Sequence, residues 1–290
     1  MAGFEAKLPE LAEADARGEI AVIYGELRAF ARVPFVALIY RHLATREGVL
    51  PWAWTALRPA FASGAIPDAA ARLAEAALLP PVAPIRAAEW RMAGLNAADR
   101  PPVEAVLAGY DRANPINLVA ARLIIGLLRR EAPPVAPTVP GEGRPRRPVR
   151  PAIPPLPPLL PAAAIPPEVS VRLASLAGFD QPAAGAVTPS LYRHLAHWPG
   201  LLALLPDRLE PAFRLGAVRD AAAAYRRAAD AEIATLLPAA RQALDERGGA
   251  QPPAEAAGLA ETLDAFAALI PEMIAVGRLI RAALPSERLL

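Results

Sequence analysis

The sequence predicts an all-α protein made of two tandem helical repeats that form a pseudo-dimer and are joined by a proline-rich linker. Three observations carry this. Tyr40-Arg41-His42-Leu43-Ala44 returns as Tyr192-Arg193-His194-Leu195-Ala196, 152 positions later, and the register holds to Phe61 and Phe213. Apolar residues recur at helical spacing, and no segment alternates with the period of two expected of a half-buried strand. Between the similar regions, Ala132 to Pro167 contains fourteen prolines, a density no helix survives. A repeat this long exceeds a solenoid unit of roughly 20–50 residues, so it implies two copies of one domain. The copies are expected over 1–131 and 168–290, with the linker over 132–167.

Glu19 to Ala31 sets Ile20, Ile23, Tyr24, Leu27 and Phe30 on one helical face, with Gly18 before it and Pro34 beyond. A second helix is expected from Val33-Pro34-Phe35 through the first repeated pentapeptide toward Gly48, proline being at home in a first turn. A third covers Leu50 to Ser63, with Trp52, Trp54, Leu57 and Phe61. The alanine-rich stretches Asp68 to Leu79 and Pro84 to Met92 favour helix because alanine loses no side-chain entropy on ordering. Pro101 to Arg112 and Pro115 to Arg130 then read as two helices, with Asn114 capping the second. In the linker, Ile153 to Leu160 is expected to lie against one of the halves, and Val139 to Arg150, with four arginines, to stay solvated.

The second half retraces the first through Val169–Ala177, Ser190–His197, Leu201–Leu215, Val218–Leu237, Ala254–Leu269 and Pro271–Leu284. Gly48 pairs with Gly200 and Pro59-Ala60-Phe61 with Pro211-Ala212-Phe213. At an offset of 156, Tyr110 pairs with Phe266, Pro115 with Pro271, and Arg122-Leu123-Ile124 with Arg278-Leu279-Ile280. A site between such copies would draw residues from both.

Composition narrows the chemistry. The net charge is +2, and every basic residue but Lys7 is an arginine interspersed among acids, so no stripe suited to a phosphate backbone forms and nucleic acid is not an expected partner. Cysteine is absent, which removes disulfides, thiolate nucleophiles and sulfur-ligated metals. The acidic start, Met1 to Asp15, lacks a signal-peptide order, and Ile116 to Leu128 is too short to span a bilayer, so a cytoplasmic chain without membrane contact is expected.

His42, His194 and His197 are the only histidines, and all lie in or beside the repeated pentapeptides. His194 and His197 could share a helix face, but no acid completes a recognised metal spacing, so no metal is expected; hydrogen-bonded or interface histidines account for them without a ligand. Asn114 reads as a cap, yet Ile270 precedes the equivalent Pro271, which leaves room for a duty beyond capping. Ser190 is either a helix-start hydroxyl or a ligand donor. Trp52, Trp54 and Trp198 read as core aromatics.

The repeated halves, the proline-rich linker, Arg32-Val33-Pro34-Phe35-Val36-Ala37, Ala113-Asn114-Pro115, and Ser190 ahead of Leu195-Ala196-His197-Trp198-Pro199 together make the chain resemble the group I 2-haloacid dehalogenases, the DehI family. That resemblance implies an all-helical pseudo-dimer that hydrolyses small 2-halocarboxylic acids without a cofactor, at a site between the repeats, with subunits that pair as a homodimer. It further implies a water activated by an aspartate and positioned by an asparagine. Asn114 matches that asparagine and Ser190 a pocket serine. Phe35 stands at a pocket tryptophan, Leu38 at a phenylalanine and Phe266 at a tyrosine, while Leu191 occupies the place of the aspartate. Leucine accepts no proton, so His194, one turn beyond Ser190, is the candidate base, with His42 as its counterpart. Two other readings stay open: a non-catalytic module that binds an apolar carboxylate or a protein partner, and an AhpD-like enzyme, whose thiol branch the lack of cysteine excludes.

Overall fold

The computed structural model describes residues 8–131, 151–161, 164–178, 189–249 and 251–286. The arginine-bearing stretch Val139 to Arg150 and the first seven residues lie outside the described residues. All regular secondary structure among the described residues is helical, with no strand. No helix among them is long and apolar enough to cross a membrane.

The first half contains α1 (Gly18–Ala31), α2 (Leu38–Leu43), α3 (Val49–Ala62), α4 (Ala65–Ala74), α5 (Ala87–Met92) and α6 (Arg100–Leu128). After the linker come α7 (Pro167–Gly178), α8 (Ser190–Leu195), α9 (Pro199–Arg214), α10 (Ala217–Asp245) and α11 (Leu259–Ala283). The centre is the pair α6 and α11, flanked by α10, which also packs on α3 and α4. From Ala113 to Ala121 every residue of α6 is buried, the mark of a helix enclosed on all sides.

Three expectations are corrected. Pro101 to Arg112 and Pro115 to Arg130 are one helix, and Asn114, expected as a cap, lies in its interior. The same holds for Pro271 in α11. An interior proline costs about 3 kcal/mol, but each fully buried large aliphatic side chain returns roughly 1.5–3 kcal/mol. Ile116, Leu118, Val119, Leu123 and Ile124 are all buried, so burial outweighs the lost hydrogen bond. Conversely, the second expected helix shrinks to Leu38–Leu43, because Ala37 is extended, with φ −64° and ψ 151°.

Arginines bind the first-half helices to the second-half ones. Arg72 grips Glu232 with two hydrogen bonds of 2.7 Å, and Arg278 on α11 reaches Asp111 on α6 at 2.6 Å as well as the Ala74 carbonyl. The planar guanidinium makes such forked contacts where a lysine offers one point charge.

Candidate active site

Arg32 ends α1 in the left-handed region, φ 55°. Its carbonyl accepts from Arg112 Nη1 at 2.9 Å and from the Ile153 amide at 3.3 Å. This turn releases the chain into Val33–Ala37 and brings Phe35 over α6, where an added Cβ on Gly109 would meet its ring at 3.3 Å. The Phe35 ring packs 5.1 Å from Tyr110 and 6.3 Å from His194.

The linker residues after Pro151 close the same region. Proline lacks an N–H, so this segment presents carbonyls with few donors of its own. The described carbonyls find donors on and just beyond α8: Arg193 Nε reaches Leu160 O at 2.9 Å, His194 Nε2 reaches Pro157 O at 3.1 Å, and His197 Nε2 reaches Pro158 O at 2.8 Å. Arg112 holds Pro151 O at 2.7 Å. Ile153 to Leu160 therefore lies against residues of both halves rather than one.

Enclosed by these pieces is a cavity of about 180 Å³, lined in part by Phe35, Leu38, Arg41, Tyr110, Ser190 and His194, with Leu156 to Leu159 as one wall. It has room for roughly six waters at ~30 Å³ each. Of the sequence-selected residues, Phe35, Leu38, Ser190 and His194 meet here, whereas Asn114, Leu191 and Phe266 do not line it. Asn114 is buried on α6, Phe266 is half-buried on α11, and Leu191 faces α11, its Cδ2 lying 3.5 Å from where a Cβ on Gly277 would stand. A larger cavity of about 480 Å³, between α1, α3, α4 and α6, is lined by alanines and other apolar residues together with Arg32, Asp68, Asp111 and Arg112, and contains no histidine or tyrosine.

The hydrogen-bond roles in the smaller cavity follow from what each partner can do. A carbonyl only accepts, so Nε2 of His194 carries the ring proton toward Pro157, and Nδ1 is left as an acceptor. The Tyr110 hydroxyl, 2.7 Å from Nδ1, therefore donates to it. Ser190 lies in the same wall and tempers the rise of the Tyr110 phenol pKa. Burial pushes the phenol of Tyr110 well above its usual range. It also lowers His194 to about 4, chiefly by desolvation, with the Pro157 carbonyl opposing and His197, Arg193 and Arg41 adding to the drop.

That shift carries a stability signature. The unfolded chain takes up a proton at this imidazole as pH falls through about 6.5, and the folded protein only near 4, so the contribution is full above 6.5 and is lost as pH falls toward 4. Urea midpoints measured from pH 7 to pH 4.5 are expected to drop, and to drop less in His194→Gln; equal slopes would contradict a buried neutral ring.

Glu13, also in the wall, is committed: Oε1 accepts from the Val36 amide at 2.7 Å and Oε2 from Arg28. Arg41 pairs with Glu10 at 3.0 Å through Nη2, while its Nε is buried without a hydrogen-bond partner. His42 differs from its counterpart: Nδ1 lies 2.8 Å from Pro9 O, and Nε2 is buried and unpartnered.

Arg41 and Tyr110 were not selected from the sequence. Both sat in view, Arg41 inside the repeated pentapeptide and Tyr110 opposite Phe266, the one position of that aligned pair where a hydroxyl remains.

No family model matches the chain. A configuration-inverting 2-haloacid dehalogenase from Alcaligenes xylosoxydans xylosoxydans is 34% identical over 116 residues, 39% of this chain and 39% of that protein. Another from Pseudomonas sp. (strain 113) is 29% identical over 112 residues, 38% of this chain and 36% of that protein. The matched stretch thus spans about two fifths of the length of these curated relatives. Among solved structures, a D-2-haloacid dehalogenase in complex with L-LA superimposes with a TM-score of 0.67 at 22% identity, covering 95% of this chain and 96% of that one. A mutant of such an enzyme gives 0.65 at 22% identity, covering 94% and 93%. At that identity the likeness shows that the all-helical arrangement is the one found in those proteins.

Proposed function

We propose that this chain, a divergent relative of the configuration-inverting 2-haloacid dehalogenases, binds a small 2-halocarboxylic acid in the 180 Å³ cavity and hydrolyses it by direct attack of water. Arg41 is the anchor for the carboxylate, with Ser190 beside it and Phe35 and Leu38 against the apolar end. His194 holds the proton released by the water. The observation that carries the reading is geometric: the His194 ring, with Nδ1 held as an acceptor, shares the cavity with Ser190 and Arg41. Lowered to about 4 chiefly by desolvation, His194 is a neutral ring at pH 7 that can take a proton. It does so without a negative charge to repel an anionic substrate. Asn114, buried in α6 and not among the residues that line this cavity, has no part in the proposed step.

The tandem-copy architecture supports the same reading. α2 and α8 each hold six residues at an offset of 152, and the cavity takes Phe35, Leu38, Arg41 and Tyr110 from before the linker and Ser190 and His194 from after it. Pairing of whole subunits is carried over from the resemblance alone.

Halide release from racemic 2-chloropropionate tests this. The rate is expected to be flat from pH 5 to 8, because His194 stays neutral there, and to fall by roughly 100-fold or more in His194→Ala, the usual weight of a general base. An inflection near 6.5, the range of a solvated histidine, or a His194→Ala variant as fast as the parent, would remove His194 from the role.

One observation favours a second reading, in which the acid binds and is not consumed: the position after Ser190 is a buried leucine. Thermal stabilisation by 2-chloropropionate with no halide above blank would select it.

A further inference from the structure

The basic nitrogen of His194 does not stand open to the cavity. Nε2 is spent on the Pro157 carbonyl, and Nδ1 is capped by the Tyr110 hydroxyl at 2.7 Å. A proton bound for this ring must therefore arrive through that hydroxyl. The oxygen of Tyr110 has one proton and two lone pairs. The proton points to His194, which leaves the oxygen's lone pairs to accept from a water in the cavity that Tyr110 lines beside Ser190.

We infer that Tyr110 is a catalytic residue of this site, the group that touches the attacking water and relays its proton to His194. The inference rests on the hydrolytic reading above. In the step, the water oxygen forms a bond to the halogen-bearing carbon while the carbon–halogen bond breaks and halide leaves with the electron pair. One water proton passes to Tyr110 Oη as the phenolic proton passes to His194 Nδ1. The imidazolium then returns its proton through Tyr110 to solvent, so the net products are the 2-hydroxy acid, halide and one proton.

The geometry explains why the intermediary is a phenol. Its raised pKa keeps it from resting as a phenolate, so it holds a proton at both ends of the cycle and moves two in concert. The Pro157 carbonyl takes part by fixing the tautomer: with Nε2 held as a donor, Nδ1 is always the acceptor. The proline-rich segment is thus both a wall of the cavity and the element that sets the ring's direction.

The test is Tyr110→Phe, which keeps the ring against Phe35 and removes only the hydroxyl. In the halide assay kcat is expected to fall roughly 100-fold with KM nearly unchanged, because the lost group acts on the reacting water rather than on the carboxylate. For the wild-type protein, kcat plotted against the deuterium fraction of the solvent is expected to curve, since two protons move in one step; this measurement also decides the matter if Tyr110→Phe fails to fold. A Tyr110→Phe variant with wild-type kcat, or a straight plot, overturns the relay while leaving His194 as base. Absence of halide from the wild-type protein instead overturns the hydrolytic reading and the catalytic role of Tyr110 with it.

Discussion

Leu191→Asp is expected to lose about 4 kcal/mol of stability at pH 7 beyond the lost leucine packing, the largest single effect predicted for this chain. Leu191 is 1% exposed and directed at α11 rather than into the cavity. A carboxyl placed there escapes desolvation by staying protonated, and holding a group with an unperturbed pKa near 3.9 neutral at pH 7 costs up to about 4 kcal/mol, since one pKa unit is 1.36 kcal/mol. The sign is set by the raised folded pKa. Below the unfolded value the variant suffers only the lost leucine packing, and as pH rises toward the folded value the deficit grows. Urea denaturation at pH 4.5 and pH 7 reads the difference directly. A deficit that is the same at both values would mean that this position tolerates a carboxylate, and that the apolar filling described here is wrong.

Gly200→Ala is the second. A Cβ at Gly200 would stand 2.0 Å from the backbone oxygen of Ala93 and 3.0 Å from its carbonyl carbon, so the start of α9 lies directly on the end of α5. No rotamer relieves a clash between two backbones, and overpacking of this kind costs typically 1–3 kcal/mol, occasionally more. A loss of about 3 kcal/mol is expected in thermal or urea unfolding. Its repeat partner supplies the contrast: Gly48 has φ +70° and only Pro253 Cγ at 3.7 Å from an added Cβ. Gly48→Ala is therefore limited to the cost of a left-handed alanine, roughly 1–2 kcal/mol. A larger loss at Gly48 than at Gly200 would reverse this account.

These two glycines show where sequence reading ends. In the sequence they hold matching places 152 positions apart; folded, one answers to its own backbone dihedral and the other to a neighbour over a hundred positions away. Asn114 teaches the same lesson. Asn-Pro is a good helix start by local rules, and the helix runs through it because the surrounding side chains gain more from burial than the proline loses.

By itself the sequence determined the helical class, the approximate place of nearly every helix and the repetition of Tyr-Arg-His-Leu-Ala, and it drew attention to Ser190 and His194. Those properties are encoded within a few turns of chain, where spacing and propensity act. Only the tertiary structure decided that Tyr110 caps His194 across 84 positions, that Pro157 sets the ring's tautomer, that Arg41 enters the cavity and that Leu191 turns from it. Each of these depends on which faces meet when α6, α8 and the proline-rich segment pack, and hydrogen bonds between side chains far apart in the chain leave no periodic trace in its sequence.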